Sequence, residues 1–212
     1  MKQVLVLGAH GKIAQLVTKN LLAHDIQQKL FLRNSARLQI EDPAKEWLIE
    51  GNATSLFDLQ QAMTGSEIVY ANLAGEIVEE ARNVVAAMKT KGVKRLIWIS
   101  TLGIYDEVPG NYGKWNHEQL DGGYLETYAE AASVIEDSGL DYTIIRPAWL
   151  DDQTEVAYEL TYKGQAFKGT EVSRASIADL VTKIILDPEL YLGESLGVNK
   201  PNTDGDKPAW YN

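Results

Sequence analysis

The feature that most constrains the fold of this chain lies near its beginning, where an apolar run enters a glycine-rich turn. Residues 4–7, Val-Leu-Val-Leu, are followed by Gly8-Ala9-His10-Gly11-Lys12-Ile13-Ala14, which has the spacing G-x-x-G-x-x-A. A strand that passes through such a turn into a helix leaves the first backbone N–H groups of that helix unpaired, at the positive end of its dipole. The pattern therefore favours a phosphate-bearing nucleotide as ligand. The alternative is that the glycines serve only the geometry of the turn.

Each small residue of this turn has a steric role in the nucleotide interpretation. Gly8 permits the sharp exit from the strand, Gly11 lets a phosphate approach the backbone, and Ala14 lets the helix pack closely on the sheet. The spacing excludes a P-loop, because Lys12 is followed by Ile13 where that motif has serine or threonine.

Composition narrows the classes of partner and site. The 212 residues are 45% hydrophobic and carry a formal net charge of −10, which suits one globular domain and disfavours nucleic acid or anionic membrane as partners. The absence of cysteine excludes thiolate ligands and thiol nucleophiles, and the three histidines are too scattered for a metal site, so we predict no metal. No apolar run approaches the roughly 20 residues of a membrane span, and the first strand begins at the N-terminus, so we expect a cytoplasmic protein.

Apolar runs and helical patterns alternate along the whole chain. The predicted strands span residues 4–7, 30–32, 46–49, 68–71, 96–100, 142–146 and 196–199. The predicted helices span residues 13–23, 56–63, 77–91, 125–137 and 175–186. Strands that are apolar throughout are typical of a sheet covered on both faces. The expected fold class is therefore α/β, a doubly wound parallel sheet, with residues 1–212 forming a single domain.

Ligands of such sheets bind at the carboxyl ends of the strands, so residues at those ends are the candidates for a cofactor site. The second strand ends at Arg33, followed by Asn34 and Arg37, where NAD-specific sites have an acidic residue. An arginine there can pair with a 2′-phosphate, which favours NADP over NAD, although exposed arginines are also common as plain surface charges. The other candidate cofactor contacts are Gly8, His10, Gly11, Lys12, Ile13, Asn52, Ala53, Asn72, Leu73, Ala74, Ser100 and Pro147. Asn52 and Asn72 could instead be plain turn residues.

Together these motifs resemble the atypical short-chain dehydrogenase/reductase superfamily, in particular its NmrA-like and NAD(P)H-binding branch, which includes small flavin and biliverdin reductases. The resemblance covers nearly the whole chain. It is carried by residues 8–14, Arg33, residues 51–53 and 99–105, and the block Ser138-Gly139-Leu140-Asp141-Tyr142-Thr143-Ile144-Ile145-Arg146-Pro147. It implies a Rossmann fold, a nicotinamide cofactor and a substrate pocket built from the C-terminal third.

The chain departs from this superfamily at the catalytic motif Tyr-x-x-x-Lys. Counted back from residues 138–139, the tyrosine position falls on Tyr124 and the lysine position on Tyr128. Without a lysine to lower its pKa, a phenol near its ordinary pKa of about 10 is a poor proton donor at neutral pH. Ser100 resembles the serine that hydrogen-bonds the substrate oxygen, and the alternative is a plain cap at a strand end. The catalytic candidates that the resemblance implies are Ser100, Tyr124 and Tyr128.

Aromatic residues are concentrated after Pro147 and just before the sixth strand. They are Tyr112, Trp115, Trp149, Tyr158, Tyr162 and Phe167. These side chains could wall a pocket for a planar substrate, or form a small core under a lid. Residues 148–175 are thus the expected substrate-pocket or lid segment. The polar tail after residue 200 is expected either to be loose or to be anchored by Trp210 and Tyr211, on this chain or on a neighbouring subunit.

Two functions from different classes follow from these observations. The first is an oxidoreductase that transfers hydride from NADPH directly to a small planar substrate such as a quinone, a flavin or a carbonyl compound. The second is a non-catalytic NADP(H) redox sensor of the NmrA type, which the missing lysine favours. Sugar epimerase or dehydratase chemistry is disfavoured, because it depends on the Tyr-Lys pair. In either case we expect a small-molecule ligand and a monomer or homodimer.

Overall fold

The structure is a computed structural model that describes residues 2–211. Its strands are β1 (Lys2–Leu7), β2 (Ile26–Leu32), β3 (Glu46–Glu50), β4 (Ile68–Ala71), β5 (Arg95–Ile99), β6 (Asp141–Pro147), β7 (Trp149–Asp151), β8 (Glu159–Tyr162), β9 (Glu171–Ser173) and β10 (Glu194–Asn199). Its helices are α1 (Lys12–Leu21), α2 (Leu56–Met63), α3 (Ile77–Lys91), α4 (Gly110–Gln119), α5 (Tyr124–Glu136) and α6 (Arg174–Leu186). A short 3₁₀ turn covers Ser35–Arg37.

Eight strands form one sheet in the order β3-β2-β1-β4-β5-β6-β10-β8. Every neighbouring pair is parallel except the last, in which β8 runs antiparallel to β10. The strand order reverses between β1 and β4, which opens a crevice at their carboxyl ends. The predicted doubly wound sheet is thus confirmed, with one antiparallel strand at its edge. The strands β7 and β9 form a separate parallel pair.

Both faces of the sheet are covered, which explains the apolar strands. Alternate residues of β1 point to opposite faces: Val4 and Val6 pack in one apolar cluster, and Leu5 and Leu7 pack in the other. The helices α1 and α6 contact each other in the first layer, and α2, α3 and α5 form the second. The strands are therefore buried on both faces, and the crevice lies at their carboxyl ends.

The structure differs from the predicted elements mainly where polar residues interrupt the apolar pattern. The strand β2 begins four residues before the predicted start, and the buried Gln28 within it donates from Nε2 to the Thr18 carbonyl at 3.0 Å. The helix α4 was not predicted, because its buried face consists of only Tyr112, Gly113 and Asn116. The short strands β7, β8 and β9 also escaped prediction, because each has only three or four residues.

The end of β6 is held by a buried ion pair. The fully buried Arg146 pairs through Nη1 with Glu107, and its Nε donates to the hydroxyl of Ser195 on β10 at 3.0 Å. The Glu107 carboxylate also accepts from the backbone N–H groups of Gly103 and Tyr105, at 3.0 and 2.9 Å. The loop after β5 is therefore fastened to β6 and β10. Arg146 therefore has an internal structural role, which no local sequence pattern indicates because its partners Glu107 and Ser195 lie 39 and 49 residues away in the sequence.

We expect Arg146→Met to lower the free energy of unfolding by about 3–5 kcal/mol, because it leaves the Glu107 carboxylate buried without its cation. Urea unfolding at neutral pH measures the loss. The control is Glu130→Gln in the exposed pair with Arg82, for which the expected change is below about 1 kcal/mol. Equal effects of the two substitutions would contradict the assignment of Arg146 to a buried structural pair.

Candidate functional site

The amino-terminal end of α1 is open to an anion. Gly8 has a φ of +72°, and its N–H and that of Ala9 both donate to the Phe31 carbonyl, at 3.0 and 3.1 Å. Gly11 precedes the helix as its N-cap, and no side chain caps the first turn or contributes an acidic group to it. The first N–H groups of α1 therefore keep their hydrogen-bonding capacity and their partial positive charge.

Asn72 lies directly against this turn. Its backbone N–H donates to the Leu7 carbonyl at 2.9 Å, which continues the pairing of β4 with β1 beyond the strand ends. A Cβ atom at Gly8 would lie 2.2 Å from the Asn72 carbonyl oxygen, and one at Gly11 would lie 2.0 Å from its Nδ2 atom. Gly8 is thus required by the protein's own packing, because a Cβ atom there would meet the Asn72 backbone, whereas at Gly11 the nearest atom belongs to the end of the Asn72 side chain, which can move. The same packing holds the Asn72 amide beside the open helix end.

A cavity of about 210 Å³ extends from this turn along the carboxyl ends of β1–β4. It collects most of the residues that the sequence analysis proposed as cofactor contacts. These are Gly8, His10, Gly11, Arg33, Asn34, Arg37, Asn52, Ala53, Asn72, Leu73 and Ala74. The remaining wall is formed by Phe31, Leu32, Gly51 and Glu80. We refer to this cavity as the cleft.

The end of β2 gives the cleft two cations. Arg33 follows the strand directly and Arg37 ends the 3₁₀ turn, and neither forms a salt bridge within residues 2–211. Asn34 Oδ1 caps this turn by accepting from the Ala36 N–H at 3.1 Å. The backbone N–H and hydroxyl of Ser35 donate to Glu50 at 2.9 and 2.8 Å, and they hold the pKa of that carboxyl below its ordinary value. Glu50 is thereby engaged in fixing the turn.

Four of the proposed cofactor contacts do not line the cleft: Lys12, Ile13, Ser100 and Pro147. Lys12 Nζ instead pairs with Asp152 at 2.9 Å, and Arg174 pairs with the other oxygen of the same carboxylate at 2.7 Å. The hydrogen bond from Lys12 lowers the pKa of Asp152. The Lys12–Asp152 pair joins the first turn of α1 to the segment of residues 148–175, and the Arg174–Asp152 pair lies within that segment. Ile13 is buried in the core.

The sequence analysis did not propose Phe31, Leu32, Gly51 or Glu80 as cofactor contacts, and the one ionisable residue among these four is Glu80. It lies in the first turn of α3, is 7% exposed, and its Oε2 atom has no hydrogen-bond partner among the described residues. Burial raises its pKa from 4.5 to about 7, and the charge of Arg33 acts in the opposite direction. A signal was available, because helical periodicity places Glu80 on the same face as the apolar Ile77, Ala81 and Val84.

The catalytic candidates lie on β5 and α5. Ser100 follows β5 and is 7% exposed, and its hydroxyl has no partner among residues 2–211. The rings of Tyr124 and Tyr128 have centroids 4.5 Å apart, and Tyr124 is 40% exposed whereas Tyr128 is buried. Burial raises the pKa of the Tyr128 hydroxyl. Within the described chain no lysine or arginine is hydrogen-bonded to either hydroxyl.

Half of the aromatic residues expected around the substrate form a packed cluster with the C-terminal tail. The centroid of Trp115 lies 4.7 Å from that of Trp149 and 4.9 Å from that of Tyr211, and Tyr112 stacks on Trp115 at 6.0 Å. The Tyr211 hydroxyl donates to Gln119 Oε1 at 2.6 Å. We refer to Tyr112, Trp115, Trp149 and Tyr211 as the aromatic cluster. The structure thus places the tail on its own chain.

The described residues contain neither a membrane-spanning helix nor a cluster of metal-binding side chains. Within residues 2–211, no helix is both long and apolar enough to cross a membrane. In the same range, no group of three or more histidine, aspartate or glutamate side chains is arranged to hold a metal ion.

Comparison with known proteins connects this geometry to a family. The model of a family described as NAD(P)H-binding matches residues 8–188. A Rossmann-fold NAD(P)-binding family protein from Shigella flexneri is 44% identical over 100% of both chains, with a TM-score of 0.86. A short-chain dehydrogenase/reductase from Veillonella parvula, solved in complex with NADP, is 32% identical over 99% of both chains, with a TM-score of 0.93.

A more distant structure shares the fold alone. ChuY, an anaerobilin reductase from Escherichia coli, is 19% identical and has a TM-score of 0.81. The alignment covers 96% of the present chain and 100% of ChuY.

We expect Glu80→Gln to stabilise the protein at pH 8, by on the order of 1–2 kcal/mol, and to change its stability little at pH 4. Between pH 4.5 and about 7 the unfolded chain loses a proton that folded Glu80 retains, so wild-type stability falls as the pH rises through this window. Urea unfolding at pH 4, 6 and 8 measures the effect. Glu79→Gln, at the exposed neighbouring position, is the matched control. A gain from Glu80→Gln that is independent of pH would contradict the raised pKa.

Proposed function

The chain belongs to the NAD(P)H-binding family, and from this premise we propose that it is an NADP-dependent oxidoreductase that reduces a small planar organic compound. One observation carries the proposal: the open end of α1 and the two arginines at the end of β2 border the same cleft. The first can hold a diphosphate and the second a further phosphate. A dinucleotide with a phosphorylated ribose has both groups.

The preference for NADP rests on charge at the end of β2. In NAD-specific sheets an acidic residue there accepts hydrogen bonds from the ribose hydroxyls, and it would repel a 2′-phosphate. Here Arg33 and Arg37 face the cleft, and the only carboxylate of its described wall, Glu80, belongs to α3. The Veillonella parvula relative, which was solved with NADP, is consistent with this preference.

We propose that the protein promotes the reaction by positioning the cofactor and the substrate rather than by acid catalysis. A bound nicotinamide cofactor would supply hydride. The N–H groups of α1 hold the diphosphate, and the Ser100 hydroxyl can donate to a substrate oxygen, because it has no hydrogen-bond partner among residues 2–211. In the same range no lysine or arginine is hydrogen-bonded to Tyr124 or Tyr128, so the proton comes from solvent or from a weak donor. Direct hydride transfer needs alignment of the two reactants above all.

We propose that residues 148–175 bound the substrate side of the site. This segment follows β6, whose carboxyl end adjoins that of β5 and therefore Ser100. The exposed ion pair of Asp152 with Lys12 connects this segment to the helix whose first turn carries the proposed diphosphate site. A substrate held by this segment would lie beside the strand ends.

A second candidate function, a non-catalytic NADP(H) sensor, is favoured by a specific observation. Neither hydroxyl of the Tyr124 and Tyr128 pair is hydrogen-bonded to a cation in the described residues, and the aromatic cluster is packed internally. A sensor needs the cleft but not a proton donor. Binding of NADPH without turnover would distinguish it from the reductase.

We expect Arg33→Ala to weaken NADPH binding by about 10- to 100-fold and to change NADH binding by less than about threefold, because charge-assisted hydrogen bonds to the 2′-phosphate are lost. Titration of nicotinamide fluorescence with both coenzymes measures this. Arg82→Ala, at an exposed position in the second turn of α3 that does not line the cleft, is the control. Wild-type preference for NADH would overturn the assignment of NADP.

We expect the protein to oxidise NADPH in the presence of at least one quinone, flavin or aldehyde, and Tyr124→Phe to lower kcat by less than about tenfold, since unassisted acid catalysis contributes little. Absorbance of NADPH at saturating cofactor gives the rates. Ser100→Ala should raise KM or lower kcat more than Tyr124→Phe does. If NADPH binds and no compound of these three classes is reduced, the sensor function replaces the reductase.

A further inference from the structure

We propose that Glu80 determines the base specificity of the cleft by accepting a hydrogen bond from the exocyclic amino group of adenine. This inference rests on the proposed function, because it takes the occupant of the cleft to be a nicotinamide dinucleotide phosphate. It assigns a role to Glu80, which takes no part in the proposed binding of phosphates by the glycine turn and the arginines.

The position of the base follows from the order of groups along the cleft. The diphosphate site lies at Gly8 and Gly11, and the cations for the ribose phosphate lie at the end of β2. The wall beyond these groups consists of the loop after β3, with Asn52 and Ala53, and of Glu80. A nucleotide that extends from the diphosphate past the ribose would therefore place its base between this loop and α3.

The Glu80 side chain is held facing this space. Asn83, one turn further along α3, donates from Nδ2 to the Thr54 carbonyl at 3.0 Å, which fixes α3 against the loop after β3. Glu80 is only 7% exposed, and it nevertheless lines the cleft. The charged and titratable groups around it are Arg33, which follows β2, Glu76 and Glu79 at the start of α3, and Tyr128 of α5. None of them is hydrogen-bonded to its Oε2 atom.

A buried carboxyl oxygen without a partner costs stability, so an unpaired group of this kind needs a reason. The other buried carboxylate described above, Glu107, has an arginine and two backbone N–H groups as partners. Glu80 lines the cleft, and one of its carboxyl oxygens has no hydrogen-bond partner among residues 2–211. A donor on the ligand would complete its hydrogen bonding in the bound state.

Adenine presents such a donor, the amino group at C6. In the 6-oxo base hypoxanthine, an oxygen that can only accept replaces it, so a carboxylate would face a second acceptor. A glutamine at position 80 has both an acceptor and a donor, and can bind either base. Discrimination between the two bases therefore depends on the carboxylate at this position.

The test compares NADPH with reduced nicotinamide hypoxanthine dinucleotide phosphate by titration of nicotinamide fluorescence at pH 8, where Glu80 is mainly ionised. We expect the wild type to bind NADPH about tenfold or more tightly than the 6-oxo analogue. Glu80→Gln should bring the two dissociation constants within about threefold, and Glu80→Ala should do the same with weaker binding of NADPH. Far-UV circular dichroism verifies that each variant is folded.

The control is Glu79→Gln, which removes the same charge from the exposed neighbouring position and should keep the wild-type ratio. A wild-type ratio near one, or a tenfold ratio that persists in Glu80→Gln, overturns the role of Glu80 while the proposed function stands. Failure of the wild type to bind either dinucleotide overturns the proposed function itself. The two failures are therefore separable.

Discussion

The close packing of Asn72 on the two glycines of the first turn is the contact on which the rest of the site depends. It exists because β4 lies next to β1 and continues its pairing by one residue, so the chain after β4 passes directly over the start of α1. A side chain at Gly8 would have to displace the Asn72 backbone and, with it, the wall that Leu73 and Ala74 form, and a side chain at Gly11 would displace the Asn72 amide. The close contact of Asn72 with the glycine turn therefore shapes both the open helix end and the cleft.

The sheet could be predicted because each of its parallel strands is recognisable from a short run of neighbouring residues. Apolar runs bounded by turn residues located every strand of the parallel part, and the helices α2 and α3 have the predicted bounds. The helix α4 could not be found in this way, because its buried face has few apolar residues and its position is set by contacts such as that of Trp149 Nε1 with Asn116 Oδ1 at 2.9 Å. Contacts between residues that are distant in the sequence do not produce a periodic pattern of apolar residues.

The same distinction separates the parts of the site that were predicted from those that were not. The glycines and Arg33 follow strands directly, so their place on the sheet edge is dictated by topology. Lys12 also lies in the glycine turn, yet its direction is set by Asp152, which is 140 residues away in the sequence. The role of Arg146 likewise depends on Glu107 and Ser195, at separations of 39 and 49 residues. A motif gives the position of a side chain, whereas its partner gives its orientation.

The strand order has a consequence for how the chain is made. β10, which begins at residue 194, lies between β6 and β8, so β8 is synthesised more than thirty residues before β10, its partner strand in the sheet. While the ribosome is still adding those residues, β6 has an unpaired edge and β8 has no partner at all. Unpaired edges of this kind attract other strands, so a nascent chain that stalls before β10 emerges is exposed to aggregation. Completion of the sheet therefore waits for the last strand to leave the exit tunnel.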